Sequence, residues 1–447
     1  MLIPSRKVSL ALSCVLLLGG CSQSPESRDT TPAVASAKPA TRIDTIPSVP
    51  IDTAAVVQID TTAVVQADTG AKMRDSAPPD RAGLARAQPS PAMREPDLEL
   101  PRSRPAHASR ARRSADDEPR ASSVEVPVFF ATSRVGTGHP PPNEMFNGER
   151  DHRPLHYGVA SVSIPPGHRP GELERPGTVL YFFHRSENPA KHVLISRLDT
   201  LDATEWLHRV QQNVGGTPDK EMLVYVHGYN VQFDDAMRRA GQLGYDLGYE
   251  NGTIAAFSWP SKGTRAEYAA DVASAEWTGP SLAQFLTRLA DSSGAQRIAV
   301  VAHSMGNRAL ASVLRSFAAR SQPAFNELVL AAPDIDADVF REQIVPILGK
   351  SARHSTLYVS KEDEALGLSS WLHEQLRAGA GGVQMFGLTE LDVVDASNVP
   401  AEGMAHSYYA ENKEVIDDIF MVVRRSLPPE QRNLKRYPQY THAWRLP

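Results

Sequence analysis

Arg297 to Arg308 reads RIAVVAHSMGNR, and the fold turns on these residues. Ile298 to Ala302 is an unbroken apolar run rich in β-branched residues, the pattern of a strand buried on both faces of a parallel sheet. It stops at His303-Ser304-Met305-Gly306. From Asn307 the period becomes helical, with Ala309, Leu310, Val313, Leu314 and Phe317 on one face. A strand, a sharp turn tipped by a serine and then a helix is the layout of a nucleophile elbow. Such a turn lifts the serine oxygen to the carboxyl edge of the sheet and aims the first N–H groups of the helix at it. Small residues two before and two after the serine let strand and helix approach. Here they are Ala302 and Gly306, so the pattern is A-x-S-x-G. An alanine fits if its φ stays negative.

Outward from the elbow, strands and helices alternate. Val126–Thr132 and Tyr157–Ile164 are strand-like, and Pro, Gly and Asn mark a loop between them. Leu223–Val226 is a buried strand ending in His227-Gly228-Tyr229-Asn230, followed by a helical stretch from Asp234 to Tyr249. A strand over Thr253–Trp259 and helical residues 265–291, broken near Gly279-Pro280, lead into the elbow strand. Beyond it come strands at Leu328–Ala332 and Thr356–Ser360, a further strand between Val383 and Val394, and a closing helix over Val415–Val423. Such alternation predicts an α/β fold, a mainly parallel sheet flanked by helices.

The first aromatic residue is Phe129. A segment of that length without aromatic side chains cannot build an ordinary core, so residues 21–120 read as a disordered tether rich in Pro, Ala, Thr and Arg. A chain of about 100 residues of this kind reaches roughly 50–60 Å. It contains the repeat IDTAAVVQ at 51–58 and IDTTAVVQ at 59–66, which reads as low-complexity drift. About 320 residues remain for one large domain, 121–427, with a tail at 428–447. Tyr437, Tyr440 and Trp444 suggest that the tail packs back on the domain.

Residues 1–20 have a signal-peptide pattern: Arg6 and Lys7, an apolar stretch from Val8, then Leu18-Gly19-Gly20-Cys21. The ending resembles a bacterial lipobox, which implies lipidation of Cys21. Ser at position 22 favours, by resemblance to lipoprotein sorting, the outer membrane of a Gram-negative cell facing the periplasm. An ordinary secretory signal is the plainer alternative. The basic run within 102–113 suits weak contact with anionic envelope polymer or headgroups, or simple solvation. A net charge of −5 and a pI near 6.3 give no reason to expect nucleic acid. No Cys/His metal constellation is present in the sequence.

A serine alcohol needs a base, a group to orient that base, and donors for the oxyanion. Reacting groups in such sheets gather at the carboxyl ends of strands. Asp363 follows the strand TLYVS, and Asp334 follows LVLAA; Asp392 and Asp395 are weaker candidates. His406 lies after the last strand and before the closing helix. The order Ser304, Asp363, His406 is the Ser…Asp…His order of α/β-hydrolases. His303 is expected to point away from the serine and His227 to brace the loop after its strand. Met305 N–H and Tyr229 N–H are the expected oxyanion donors, each worth about 3–4 kcal/mol in the transition state.

The ordered set VPVFFATSR, YGVASVSIP, LVYVHGYNVQF, AAFSWPS, VVAHSMGNRAL, LVLAAPDIDADVF, LYVSKEDEAL and HSYY resembles a bacterial family of α/β-hydrolases known as DUF900, over about residues 124–425. The resemblance implies an α/β-hydrolase fold and serine-hydrolase chemistry, and a mechanism of nucleophile, base and acid needs no cofactor. Members share HSMG without the first glycine. It implies Asp363 as the acid, in S-x-x-D-x-A-L, with Asp334 as a second candidate. The expected activity is hydrolysis of carboxylic esters, small-molecule or lipid, in a pocket lined by Tyr229, Trp259, Phe340 and Trp371. A lipase, phospholipase or peptidase on the same residues, or a non-catalytic binding protein on the same scaffold, are the rival readings.

Overall fold

In the elbow strand and its neighbours nearly every side chain is buried, because both sheet faces are covered. Arg297–His303, Glu221–Val226 and Phe325–Ala331 are buried almost throughout. Side chains alternate between two apolar layers. Met222, Val224, Val300 and Ala302 point into one, Leu223, Tyr225, Ala299 and Val301 into the other. The first layer is closed by helices Ala203–Gly216, Gly279–Ser292 and Gly306–Ala318. The second is closed by Phe233–Asp246 and Lys413–Arg425. This computed structural model describes residues 122–139, 144–176, 178–179, 183–184, 187–400 and 406–447. The signal segment, Cys21, the repeat and the basic run lie outside the described residues.

Among the described residues the main sheet has 11 strands, with the elbow strand between Glu221–Val226 and Phe325–Ala331. Pairing is parallel from Ala443–Arg445 through Asp392–Asp395, Ala352–Val359, Phe325–Ala331, the elbow strand, Glu221–Val226 and Thr253–Ser258 to Val124–Thr132. His156–Ile164 and Leu194–Leu201 extend one edge antiparallel, and Lys435–Arg436 extends the other. The parallel core brings the ends of Val226, His303, Ala331 and Val359 to one edge, as the crossover rule requires.

Two stretches differ from the sequence-based expectation. Strand Leu194–Leu201 and helix Ala203–Gly216 were not anticipated; the helix is announced locally by Asp202, which accepts from the amides of Thr204 and Glu205. Between 383 and 394 only Asp392–Asp395 is strand, while Val383–Phe386 is a helical turn. Gly381 and Gly382, at φ 71° and 98°, reverse the chain just before that turn. The tail, expected to pack back on the domain, does so by joining the sheet: Ala443–Arg445 pairs with Asp392–Asp395. Tyr437 stacks on Phe386 at 5.1 Å and donates to Asp395 at 2.6 Å. Burying those rings requires the backbone beside them to find partners, and the free sheet edge supplies them.

Candidate active site

Ser304 sits at the turn with φ 51°, a left-handed conformation costly for a residue with a Cβ. The surroundings hold it there. Its N–H donates to Ala331 O at 2.9 Å, and its carbonyl accepts from Asn307 N at 3.0 Å. Asn307 Nδ2 donates to Ala302 O at 2.9 Å and to Ala331 O at 3.1 Å. Gly306 is required by contact: a Cβ there would lie 2.4 Å from His227 O. Gly228 is required likewise, since its Cβ would meet His303 Nδ1 at 2.7 Å and Ser304 Cβ at 2.9 Å. Ala302 is buried and is not among the positive-φ residues, so its methyl is accommodated.

His406 Nε2 lies 2.7 Å from Ser304 Oγ. Its Nδ1 lies 2.9 and 2.8 Å from the two carboxylate oxygens of Asp363. A carboxylate only accepts, so the Nδ1 proton points at Asp363 and Nε2 accepts from the serine hydroxyl. Asp363 follows strand Ala352–Val359 and N-caps helix Glu364–His373, where Oδ1 accepts from Leu366 N at 3.0 Å. Burial lowers the His406 pKa, but the charge and hydrogen bond of Asp363 outweigh it, and the net shift is upward. His303 packs beside His406 and Tyr409. Its Nε2 is 3.0 Å from His406 O, and its ring stacks on Tyr409 at 4.2 Å. Burial and the neighbouring His406 hold it well below the usual histidine range, so it stays neutral and donates to the His406 carbonyl.

Asp334 is also buried beside the serine, and its amide lies 3.3 Å from Ser304 O. Its carboxylate faces elsewhere. Tyr268 Oη donates at 2.5 Å, Ser369 Oγ donates at 2.7 Å, and Arg377 Nε lies 3.4 Å away. The structure brings Ser304, His406 and Asp363 together and directs Asp334 to this separate cluster. Asp392 and Asp395 bind His442 and Tyr437 in the strand region at the sheet edge.

A cavity of about 620 Å³ opens onto Ser304 and His406. Leu173, Tyr229, Val231, Leu366 and Leu368 supply apolar walls. The ion pairs Arg175–Asp235 and Arg239–Glu411 also border it. Of the expected lining, Tyr229 is present. Trp259 and Phe340 are core residues instead: Trp259 stacks on His227 at 4.9 Å and donates to its carbonyl at 2.7 Å. The Trp371 side chain lies outside the described residues. His227 does brace its loop, with Nδ1 2.8 Å from Gly228 O. Among the described residues no group of three His, Cys, Asp or Glu gathers as a metal site would, and no helix is long and apolar enough to cross a membrane. Tyr268 and Ser369 escaped the sequence reading because they act through contacts distant in sequence.

A mainly parallel sheet with helices on both faces, and a serine on a strained strand–helix turn at its carboxyl edge, define an α/β-hydrolase fold. Residues 202–425, half of the chain, match the family described as "alpha/beta hydrolase of unknown function (DUF900)", and the chain belongs to that family. Among curated proteins none matches. Among solved structures the chain is similar to a hyperthermophilic esterase from the archaeon Pyrobaculum calidifontis at 11% identity and TM-score 0.28, covering 50% of this chain and 90% of that one. A monoclinic form of the Pyrobaculum calidifontis esterase gives 14% identity and TM-score 0.28, covering 46% and 76% respectively.

Proposed function

We propose that the protein is a serine hydrolase acting on carboxylic esters through an acyl-enzyme. The observation that carries this reading is the contact of Ser304 Oγ with His406 Nε2 at 2.7 Å, with Asp363 on the other ring nitrogen. In the forward step His406 takes the serine proton as Ser304 Oγ attacks the ester carbonyl, and Asp363 steadies the imidazolium. Met305 N–H, at the start of the elbow helix, and Tyr229 N–H are the donors to the tetrahedral oxyanion. The same histidine returns its proton to the leaving alcohol. It then activates water, which hydrolyses the acyl-serine and frees the acid. Each step uses protein groups and water.

The apolar walls around about 620 Å³ suit an ester with a short or medium acyl chain. A fluorophosphonate probe is expected to label the intact chain, and Ser304→Ala is expected to abolish labelling. In a substrate panel, short nitrophenyl esters should be turned over faster than long-chain lipids or peptide amides. Preference for either of those moves the substrate class to lipase or peptidase. A folded wild type that neither labels nor turns over esters is a binding protein and not an enzyme. We further propose that lipidated Cys21 anchors the enzyme to the envelope, supported by Leu18-Gly19-Gly20-Cys21. Mass analysis of the mature N-terminus should find acylated Cys21, and any other terminus removes the anchor.

A further inference from the structure

We propose that Arg134 is a positioning residue for the oxyanion side of this site, acting through His227 and the loop from Gly228 to Val231. The inference rests on the serine-hydrolase reading and extends it to a residue outside the 202–425 family match. Arg134 comes just after strand Val124–Thr132 and is 1% exposed. A buried guanidinium is normally matched by a carboxylate. Among the described residues Arg134 has no ion pair within 4 Å, and its hydrogen bonds go to neutral groups. Nε donates to Ser258 Oγ at 2.9 Å, and Nη1 to Ser261 O at 2.9 Å and Asn147 O at 3.3 Å. Nη2 donates to Val231 O at 2.8 Å and lies 3.4 Å from His227 Nε2. Burial pulls its pKa down to about 9 even though Asp271 opposes the shift. So costly an arrangement needs a return, and its contacts converge on one loop.

Arginine has no acceptor, so the His227 nitrogen facing Nη2 must accept. The ring proton then sits on Nδ1 and is donated to Gly228 O at 2.8 Å. The opposite tautomer would send Nε2–H to Trp259 O at 3.2 Å and leave two bare lone pairs facing each other across the 2.8 Å contact at Gly228. Double protonation would satisfy both carbonyls, but burial first and the Arg134 charge second hold the His227 pKa down to about 3. With the Gly228 carbonyl fixed, the planar trans peptide turns Tyr229 N–H to the opposite side. Gly228 itself abuts the nucleophile, since a Cβ there would be 2.9 Å from Ser304 Cβ. Beyond Tyr229 the loop is held again: Asn230, at φ 58°, donates to Asp271 at 3.4 Å, and Val231 N donates to Ser261 Oγ at 3.1 Å. Arg134 thus grips the loop on both sides of the proposed oxyanion donor.

The test compares full-length wild type, Arg134→Met, Arg134→Lys, His227→Asn and the Met/Asn double variant, each checked for folding by thermal unfolding. Loss of an oxyanion donor costs roughly 10²–10³-fold in kcat, and a misaimed donor should cost part of that. Arg134→Met is expected to lower kcat on a short nitrophenyl ester about 10–100-fold with KM within about twofold. Affinity for a trifluoromethyl ketone should fall by the same factor as kcat/KM. Asn places an amide N–H where His227 Nδ1–H lies, without a tautomer to set. The double variant should therefore be no slower than Arg134→Met alone. Arg134→Lys keeps the cation but loses the fork, and should fall between wild type and Met, which covers the case in which Met does not fold. The proposal is overturned if the folded arginine variants keep wild-type kcat, if ketone affinity is unchanged, or if the two substitutions multiply. A wild type without ester turnover sinks the hydrolase reading itself, a result seen before any variant is made.

Discussion

Two strands next to each other in the sheet are each followed by a buried aspartate near Ser304 and His406. After Phe325–Ala331 comes Asp334, and after Ala352–Val359 comes Asp363. Both follow apolar strands, and both are at most 3% exposed. They differ in their partners. Asp334 is enclosed by Tyr268, Ser369 and Arg377. Asp363 uses one oxygen as a helix cap and turns both oxygens to His406. A buried carboxylate orients a histidine only if other donors have not already claimed its direction. In this molecule the helix Glu364–His373 settles the matter twice, by taking Asp363 as its cap and by offering Ser369 to Asp334.

The sharpest way to break the comparison is to remove one charge at a time. Asp363→Asn is expected to reduce kcat about 10³–10⁴-fold, because the amide favours the wrong His406 tautomer. Steady-state kinetics on a short ester will show this, and a loss under tenfold would reassign the acid. The pH profile is the next largest effect. A base must be neutral to work, so wild-type activity should rise with pH through a midpoint above the ordinary 6.5 of histidine, reflecting the raised His406 pKa. In Asp363→Asn the main opposition to burial is gone, only Asp334 and Glu411 still raise the pKa, and the midpoint should move down. The linked stability has the opposite sense. A raised folded pKa adds stability that is fully present below the unfolded value of 6.5 and is lost as pH rises through the folded value. Unfolding of wild type and Asp363→Asn across that range should converge towards high pH. The smallest effect on rate belongs to Asp334→Asn, within about tenfold. Its cost falls on stability, about 3 kcal/mol, because Arg377 is left as an uncompensated buried cation. A denaturant midpoint that does not move would show that Arg377 relaxes to another partner.

Much of this site is legible in the sequence. The elbow, the order Ser304, Asp363, His406 and the HGYN loop are local patterns at strand ends, and a parallel sheet brings such ends to one edge. Gly306 and Gly228 carried their signal openly, because a side chain at either would collide with the opposing strand end or the serine. The lining of the cavity was less legible. Trp259 looked suitable for a pocket, yet it packs flat on His227 in the core. Aromatic side chains suit a buried layer and a pocket wall equally, so residue type alone did not separate the two. Helix Ala203–Gly216 was missed despite its Asp202 cap, since Trp206, Val210 and Val214 form only a narrow apolar stripe.

By itself the sequence determined the alternation of strands and helices, the turn that strains Ser304, and a short set of acids and histidines from which a base and its partner must come. Those are consequences of local period and local sterics, readable over about a dozen residues. Only the tertiary structure placed Asp363 and not Asp334 against His406, drew the tail's Ala443–Arg445 into the sheet, and set Arg134 under the loop at Tyr229. Each of those depends on pairs 35 to 97 residues apart, such as Ser369 with Asp334 and Arg134 with Val231. At such separations the partner is chosen by which buried donor or acceptor is left to satisfy once the layers have packed, and no local pattern encodes that.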